Sequence, residues 1–409
     1  MSNLNGKSPT VLVTDAGRGS AIAIIRSLGR KDYRVIAADA EAKSLGFRSR
    51  FTHEHLVYPA PETSPTEFCD CLLETVKAKG VNLIIPATDL TGHPLAWRRS
   101  EFAKFTKLAV PEDDLLKVVR DKDQTLQLAD KVGVPVPETC IVETAKEALA
   151  QAEQLGWPIV LKPRASRKLR EGKGIDKFKV TYAADAADLK KQMQELEGQC
   201  AVLLQSYCAG VGHGVELLMH EGKPLAAFQH KRLREIPVTG GASAYRESVK
   251  LDPDLYDYSL RLLHELRWTG LAMVEFKVGK RGPRLMEING RVWGSLPLAV
   301  ASGVDFPALL AELHLRGPAT IKPQLNSEYK IGLRCRDLQR DLIWITNVLL
   351  QRRRYECLDM PSRGRAIVAM LGIFNPRRKF DLLTLNDPLP GLAELPRILK
   401  KFRGKMSDE

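Results

Sequence analysis

The apolar residues of the first 110 positions fall into short runs separated by amphipathic stretches. The segments TVLVTD (10–15), RVIAAD (34–39) and NLIIPATD (82–89) are apolar runs of the kind that forms buried parallel strands. The segment GSAIAIIRSLGR (19–30) instead repeats its apolar residues with helical spacing. Strands and helices that alternate with short connections predict an α/β domain with a parallel sheet over residues 1–110.

From residue 111 onwards the pattern changes to helices and hairpins. A helical stretch opens with Pro-Glu-Asp-Asp, which is typical of a helix N-terminus. The segment WPIVLKPR (157–164) predicts a strand, and LAMVEFKVGKRGPRLMEING (271–290) predicts an antiparallel pair. We therefore expect an α+β domain over residues 111–318, with a smaller subdomain at about 135–207, and a C-terminal extension at 319–409.

The second strand of this pair carries polar residues among apolar ones. In LMEINGRVWGS (285–295), side chains two residues apart share one face, which places Glu287, Asn289 and Arg291 together. The opposite face is expected in the core and consists of Met286, Ile288 and Val292. A carboxylate and an amide among apolar residues are costly unless they are paired. They therefore either satisfy neighbouring protein groups or hold a cation and an anionic ligand.

The first strand adds a second carboxylate, Glu275, in the segment MVEF. In an antiparallel pair, Glu275 can converge with Glu287 and Asn289 on one face. Their oxygens are hard ligands suited to Mg²⁺, which takes few protein ligands together with substrate phosphates. The competing interpretation is a structural network in which the acids pair with arginines such as Arg284. Considered alone, this strand pair does not decide between a metal site and a structural network.

Two lysines and a basic loop favour an anionic ligand. Lys162 ends a strand rich in Ile and Val, where an ammonium needs an anionic partner, whereas Lys122 would ordinarily be a solvated helix lysine. The segment 164–179 then holds seven basic residues together with Gly172 and Gly174. Such a loop suits a triphosphate, because glycine lets backbone amides approach and cations offset the charge. No GxxxxGK[ST] motif occurs, so this is not a Walker loop.

Composition narrows the class of protein. A hydrophobic content of 44% and a charged content of 27% are those of an ordinary soluble globular chain. No apolar run approaches the ~20 residues needed to span a bilayer, and the polar start MSNLNGKSPT predicts no signal peptide. The seven cysteines form no CxxC pair and suit reduced thiols. We expect a cytoplasmic protein.

The net charge of +13 is concentrated near the C-terminus, where residues 320–409 hold 18 Lys or Arg and 10 Asp or Glu. This imbalance indicates a solvated surface or an acidic partner, such as a phosphate-rich substrate, a membrane or nucleic acid. The stretch DLIWITNVLLQRRR (341–354) allows peripheral contact with the inner membrane face, although we favour packing of this helix on the rest of the chain. Nucleic acid is disfavoured because no reader motif occurs.

The segment DAGRGSAI (15–22) resembles the start of a dinucleotide fingerprint, with Gly17, Gly19 and, twenty residues beyond the second of these, Asp39. Ile22 stands where the third glycine should be. We therefore favour a tight strand-to-helix turn over NAD binding.

The ordered set of Lys122, IVLKPR with Lys162, VLLQSYCAG, MVEF with Glu275 and LMEINGR resembles the ATP-grasp superfamily. More narrowly, it is similar to the predicted ATP-dependent carboxylate–amine ligases related to carbamoyl-phosphate synthetase. The resemblance covers roughly residues 10–315. It implies a Rossmann-like pre-ATP-grasp domain, then ATP-grasp domains.

The resemblance also implies an ATP site. Lys122 and Lys162 would hold the α- and β-phosphates, while Val160 and Met286 would sandwich the adenine. Glu216 would reach the ribose, with His213 as a rival. The hinge beside the adenine would be Gln205, Ser206, Tyr207 and Cys208, although Gln205 stands where the family often has glutamate.

The same resemblance assigns the chemistry. Glu275, Glu287 and Asn289 would bind two Mg²⁺ or Mn²⁺ ions, and Arg291 would stabilise the transferring phosphoryl group. Lys231 and Arg232 would neutralise an acyl phosphate or bind an anionic substrate. The implied reaction activates a carboxylate as an acyl phosphate and joins it to an amine, releasing ADP and phosphate. A homodimer would be unsurprising.

Two other functions stay open at this point. The first is bicarbonate or carbamate activation, which would need partner subunits. The second is a nucleotide-binding scaffold without catalysis, against which the intact set of Glu275, Glu287, Asn289 and Arg291 argues.

Overall fold

A computed structural model describes the chain at residues 8–164, 167–170, 174–177, 180–326, 328–350, 357–358, 360–375 and 378–407. Its N-terminal part contains the predicted parallel sheet, with strand order β3-β2-β1-β4-β5. The strands are β1 (Thr10–Val13), β2 (Arg34–Asp39), β3 (Glu54–Val57), β4 (Leu83–Ile85) and β5 (Lys107–Leu108). The helices are α1 (Gly19–Gly29), α2 (Pro65–Lys79), α3 (Asp89–Trp97) and α4 (Arg99–Phe102), with a 3₁₀ turn at Leu45–Arg48.

The sheet is covered on both sides, as its continuous apolar runs predict. Along β1, Val11 and Val13 pack in one hydrophobic core and Leu12 in another. Two helices, α5 (Asp113–Arg120) and α6 (Lys122–Lys131), lead out of this domain. The Asp121 carboxylate caps α6 by accepting from the Asp123 backbone N–H, which fixes Lys122 at the first helical position.

The next part is a small antiparallel sheet with strand order β10-β7-β11-β6. Its elements are β6 (Thr139–Val142), α7 (Ala145–Leu155), β7 (Ile159–Pro163), β8 (Arg167–Arg170), β9 (Gly174–Lys177), β10 (Thr181–Ala183), α8 (Ala186–Leu196) and β11 (Val202–Ser206), with β8 and β9 paired separately. Ile159 and Leu161 pack under the helices, so the alternate residues Val160 and Lys162 face the other way. Of the predicted phosphate loop, residues 165–166, 171–173 and 178–179 lie outside the described residues.

A seven-stranded sheet, in the order β16-β15-β12-β13-β14-β17-β18, forms the centre of the molecule. Its elements are β12 (Val211–His220), β13 (Lys223–Ile236), β14 (Ala242–Val249), α9 (Pro253–Glu265), β15 (Gly270–Gly279), β16 (Gly282–Asn289), α10 (Leu296–Ser302), α11 (Phe306–Arg316) and β17 (Arg334–Arg336), followed by α12 (Leu338–Leu349), α13 (Arg363–Leu371), β18 (Lys379–Phe380) and α14 (Leu389–Ser407), with 3₁₀ turns at Pro318–Thr320 and Gly372–Phe374. Neighbouring strands are antiparallel except β17 and β18.

The C-terminal extension is built into this body. Strands β17 and β18 extend the central sheet, and Trp344 and Val348 of α12 pack against α13. Arg26 of α1 is buried, donates to Asp387 Oδ2 at 2.8 Å and also donates to three backbone carbonyls of the extension. Within the described residues, no single helix has the length and apolar composition to cross a membrane, although the bent pair Leu296–Ser302 and Phe306–Arg316 meets both criteria together.

We expect Asp387→Ala to lower the free energy of unfolding by about 3–5 kcal/mol, because it leaves the buried Arg26 guanidinium without its counterion. Denaturant unfolding would measure this loss. The matched control is Glu41→Gln, which breaks the exposed Arg397–Glu41 pair between the same two parts of the chain and should cost at most about 1 kcal/mol. Equal losses in the two variants would contradict this account of the interface.

Candidate functional site

A cleft of about 1980 Å³ lies between the N-terminal domain, the small antiparallel subdomain, the central sheet and the C-terminal extension. It is lined by seven of the sixteen predicted site residues, namely Lys122, Lys162, Gln205, Met286, Glu287, Asn289 and Arg291. The cleft therefore brings together residues that are far apart in the sequence.

Neither cleft lysine has a carboxylate within ion-pair distance among the described residues. Lys122 Nζ donates to the Pro163 carbonyl at 3.1 Å, and Lys162 Nζ donates to Gln205 Oε1 at 2.6 Å. Burial lowers the pKa of both lysines, and the nearby charge of Glu287 opposes that change. Two desolvated ammonium groups that face one cleft without a counterion form a site for an anion.

The two hairpin carboxylates converge as the alternation predicts. Glu275 and Glu287 are direct cross-strand partners, and Asn289 Nδ2 donates to one oxygen of each at 3.0 Å. Burial raises the pKa of Glu275, the charge of Arg232 lowers it, and the repulsion of Glu287 raises it again. The result is a pKa of about 7. The exposed Glu287 has no cationic side chain at ion-pair distance among the described residues.

The structural-network interpretation of these acids also holds in part. Arg232 Nη2 lies 2.5 Å from Glu275 Oε2, and Arg232 also pairs with Glu235 at 3.1 Å. Arg284 donates only to the backbone carbonyls of Arg281 and Pro283 among the described residues. Arg232 thus neutralises Glu275, while Glu287 and Asn289 stay open to the cleft.

A β-bulge changes the predicted faces of the second strand. Glu275 pairs with Glu287 and Phe276 pairs with Leu285, so Met286 is the extra residue. Leu285 and Ile288 are therefore the core residues, and Met286 is half-buried in the cleft wall. The expectation that Met286 lies on the core face was wrong, and its predicted contact with adenine stays a prediction.

Strand alternation separates the two basic residues of β13. Arg232 shares the face of Glu275, but Lys231 points to the opposite face and pairs with Glu247 at 2.8 Å. His213 lies opposite Lys231 in the neighbouring strand and contacts Gln229 through its Nδ1 at 3.1 Å. The structure does not bring Lys231 or His213 to the cleft.

Glu216 is also absent from the cleft wall. It is fully buried, accepts a hydrogen bond from Ser295 Oγ at 2.7 Å and lies 3.0 Å from His230 Nδ1. A carboxylate that is sealed in this way cannot reach a ribose in the cleft. Burial therefore argues against the predicted contact between Glu216 and a ribose.

The predicted hinge follows β11 at the edge of the small subdomain. Gln205 accepts from Lys162 and donates from Nε2 to Thr139 Oγ1 at 2.8 Å, so its side chain holds the lysine. Ser206 joins this strand to β6 through its backbone N–H. Val160 packs with Tyr182 and Leu358, and Tyr207 lies against this cluster.

Two further residues belong to this region, namely Cys208, which was predicted, and Leu358, which the sequence analysis missed. Cys208 Sγ lies 3.9 Å from the Ser206 carbonyl, and burial raises the pKa of its thiol. Leu358, which packs on Val160, comes from the C-terminal extension, and no local sequence pattern indicated that contact.

Arg291 lies just after β16 and is held by the N-terminal domain. Its Nε donates to Asp89 Oδ2 at 2.8 Å, and Asp89 is the first residue of α3. Asp89 follows β4, and the carboxyl ends of parallel strands are where ligands bind in α/β sheets. This position is the sequence signal that could have identified Asp89 as the residue orienting Arg291.

The turn after β1, which contains Gly17, lines another side of the cleft. Asp39 Oδ2 accepts from the Gly17 N–H at 2.6 Å and from Ser44 Oγ at 2.8 Å. Its carboxylate therefore closes the turn, which agrees with the tight-turn interpretation rather than with a free ribose ligand.

The C-terminal extension contributes a second group of residues that the sequence analysis missed. Asp337, Arg340, Asp381 and Glu394 line the same cleft. Burial, reinforced by the charges of Asp337 and Asp381, raises the pKa of Glu394 to about 8. Little in the sequence indicates that these residues lie together, because they are scattered over nearly 60 positions.

The raised pKa of Glu394 predicts a pH-dependent stability. The folded state binds its proton more tightly than the unfolded chain, so this group lowers the free energy of unfolding as pH rises from about 4.5 to about 8. Glu394→Gln should therefore gain stability over the native protein at pH about 8 and little at pH about 5, as measured by urea unfolding. The control is Glu62→Gln, which changes an exposed residue of the same cleft and should have the stability of the native protein at both pH values. An effect of Glu394→Gln that does not depend on pH would contradict the raised pKa of Glu394.

The chain is similar to known proteins in sequence and in fold. Residues 199–339 match the family model described as "ATP-grasp in the biosynthetic pathway with Ter operon". The carbamoyl phosphate synthase large chain of Xylella fastidiosa (strain 9a5c) is 25% identical over 210 residues, which is 48% of this chain and 19% of that relative. The aligned part is thus about a fifth of that relative's length.

Solved structures share the fold. A biotin carboxylase–β-γ-ATP complex from Campylobacter jejuni superposes with a TM-score of 0.63 at 16% identity, covering 80% of this chain and 74% of that one. An L-amino acid ligase from Bacillus licheniformis gives 0.55 at 14% identity, covering 78% of each. These matches show that the chain shares the fold of these solved structures, and that its sequence is similar to an ATP-grasp family over residues 199–339 and to part of the carbamoyl phosphate synthase large chain.

Proposed function

We propose that this protein is an ATP-dependent carboxylate–amine ligase. The observation that carries the proposal is the cleft in which Lys122 and Lys162, both partly buried and without a carboxylate partner among the described residues, face Glu287 and Asn289. An anion that brings its own divalent cation satisfies all four side chains at once. ATP with Mg²⁺ has that chemistry.

The donor set fits Mg²⁺ or Mn²⁺. Glu287 offers a carboxylate that no described cation neutralises, and the Asn289 amide can turn its oxygen toward the cleft in place of its two donated hydrogen bonds. Glu275 completes the set, for up to two ions. These residues would hold the ion, which would supply positive charge to offset that of the phosphate tail.

The remaining cleft residues would bind and orient the substrates. Val160 and Met286 would flank the adenine, with the hinge at Gln205–Cys208 beside it. Lys122 and Lys162 would bind phosphate oxygens, and Arg291, already oriented by Asp89, would stabilise charge on the transferring phosphoryl group. Arg232 would act through Glu275, which it neutralises.

The chemistry requires no protein nucleophile. A substrate carboxylate oxygen attacks the γ-phosphorus, ADP leaves, and the product is an acyl phosphate. The amine nitrogen then attacks the carbonyl carbon, phosphate leaves and one proton is released. The protein contributes position, charge and exclusion of water, which suffice for phosphoryl transfer.

Trapping with hydroxylamine would test this proposal without knowledge of the amine. Purified protein, MgATP and a panel of carboxylic acids should yield a hydroxamate and ADP with at least one acid. The same acid, crossed with an amine panel, should then show amine-dependent ADP release. Bicarbonate belongs in the panel, because bicarbonate-dependent ADP release without an amine would instead support carboxylase-type activation. Nucleotide binding with no hydroxamate from any acid would favour an inactive scaffold.

A further inference from the structure

Helix α13 packs on the protein through small residues and exposes its large ones. Ala366 and Ala369 are buried in a cluster with Trp344 and Val348 of α12. The opposite side of α13 and the 3₁₀ turn after it carry large apolar side chains that are 43–84% exposed, namely Ile367, Val368, Met370, Leu371 and Phe374. We call these five residues the α13 face. An amphipathic helix that only covers a core has the reverse arrangement, with its large apolar residues buried.

Helical spacing brings the residues of the α13 face together. Ile367 and Leu371 are separated by one helical turn, and Phe374 follows after about another turn, so they succeed one another along one side. Val368 and Phe374 are 68% and 84% exposed, and therefore project from the surface instead of lining a groove. Single exposed apolar residues are common, whereas a continuous row of them marks a surface that binds another molecule or a membrane.

The chain around the α13 face is basic. Residues 361–380 contain five Lys or Arg and no Asp or Glu. Arg365 lies on α13 and Lys379 on β18; both are exposed, and neither forms an ion pair with another described residue. The apolar row is thus accompanied by positive charge.

The acids of the elements packed against α13 do not offset this charge. The cluster that holds α13 includes residues of α12 and the end of β13. The acid within α12 is Asp341, which is buried and pairs with Arg336 at 2.7 Å. The acid within β13 is Glu235, which pairs with Lys277 at 3.1 Å. A ligand of the α13 face therefore meets an apolar surface with unneutralised cations beside it.

We propose that the α13 face docks this protein on an anionic lipid surface. Its apolar side chains enter the boundary between headgroups and acyl chains, while Arg365 and Lys379 contact lipid phosphates. A second copy of this chain is a poorer occupant, because a symmetric contact would bring the same basic residues against one another. This inference is independent of the proposed ligase function.

Cosedimentation of the full chain with lipid vesicles tests the proposal. The native protein should bind vesicles of phosphatidylcholine with about 30% phosphatidylglycerol at least about fivefold more tightly than vesicles of phosphatidylcholine alone, since each basic residue at an anionic surface contributes about that factor. Arg365→Gln should lose about fivefold on the anionic vesicles for the same reason. The double variant Leu371→Ser, Phe374→Ser should bind them about tenfold or more weakly, because two apolar side chains no longer enter the lipid.

The control is Leu385→Ser, which changes a 99% exposed leucine outside the α13 face and should bind as the native protein does. All variants should keep the native melting temperature, because the substituted side chains are exposed. No binding to anionic vesicles, or equal binding by the native protein and the double variant, would overturn the proposal. A lipid-free dimer that the double variant loses, without vesicle binding by the native protein, would assign the face to a second copy instead. None of these measurements requires nucleotide or turnover, so they are separate from tests of the ligase reaction.

Discussion

Replacing Arg291 by alanine is expected to lower the rate of acyl phosphate formation about 10²- to 10³-fold, the range found when one stabilising donor is removed from a transition state. Arg291 lies at the end of β16, and its guanidinium is already aimed by Asp89. Nucleotide binding should be unchanged, because the lysines and the hairpin acids are untouched. Hydroxamate formation and ADP affinity, measured on one preparation, would show the two effects separately.

Two further variants sharpen this prediction. Arg291→Lys retains the charge but loses the forked donor geometry, so its activity should lie between those of the native protein and Arg291→Ala. Asp89→Asn should cause a smaller loss than Arg291→Ala, because it weakens only the orientation of the arginine. Full activity in Arg291→Ala would remove Arg291 from the mechanism.

Replacing Lys162 by methionine is expected to weaken ADP binding about 10- to 100-fold, since a hydrogen bond from a charged group contributes about 1.5–3 kcal/mol. Lys162 is partly buried, and its ammonium meets only the neutral Gln205 side chain among the described partners. Adenosine, which lacks phosphates, should bind the variant and the native protein equally. Calorimetric titration with both ligands would measure the difference.

The matched control for Lys162 is Lys190→Met, which removes an exposed lysine from α8 of the same subdomain. It should bind ADP as the native protein does. Native-like ADP affinity in Lys162→Met, or an equal loss for adenosine, would show that this ammonium does not contact the phosphates.

The features that the sequence predicted well depend on local periodicity. Continuous apolar runs indicated the parallel sheet, and two-residue alternation indicated that Glu275 and Glu287 would meet across a hairpin. The order of the motifs was enough to indicate the resemblance to the ATP-grasp superfamily, because each motif is short and lies on one strand or turn.

The features that the sequence missed depend on register and burial. The bulge at Met286 moved that side chain to the cleft, and strand phase placed Arg232 rather than Lys231 beside Glu275. A single inserted residue reverses every later side chain, and a single sequence does not indicate which strand carries it. The burial of Glu216 likewise depends on Ser295, nearly 80 residues away.

The C-terminal extension was the least predictable part. Its two short strands complete a sheet whose other members end at or before Asn289, 45 or more positions before Arg334, a pairing that local patterns do not encode. The helix α12 packs on the body as favoured, with buried Trp344 and Val348. Homodimerisation, peripheral membrane contact and a cytoplasmic location stay predictions.

The central claim is that Glu287 and Asn289 hold a divalent cation against a nucleotide whose phosphates lie on Lys122 and Lys162. Titration of ADP in the presence and absence of Mg²⁺ tests it directly. The native protein should bind ADP about tenfold or more tightly with Mg²⁺, and Glu287→Gln should lose that gain while keeping its metal-free affinity. ADP binding that is absent, or that is unaffected by Mg²⁺ in the native protein, would contradict the claim.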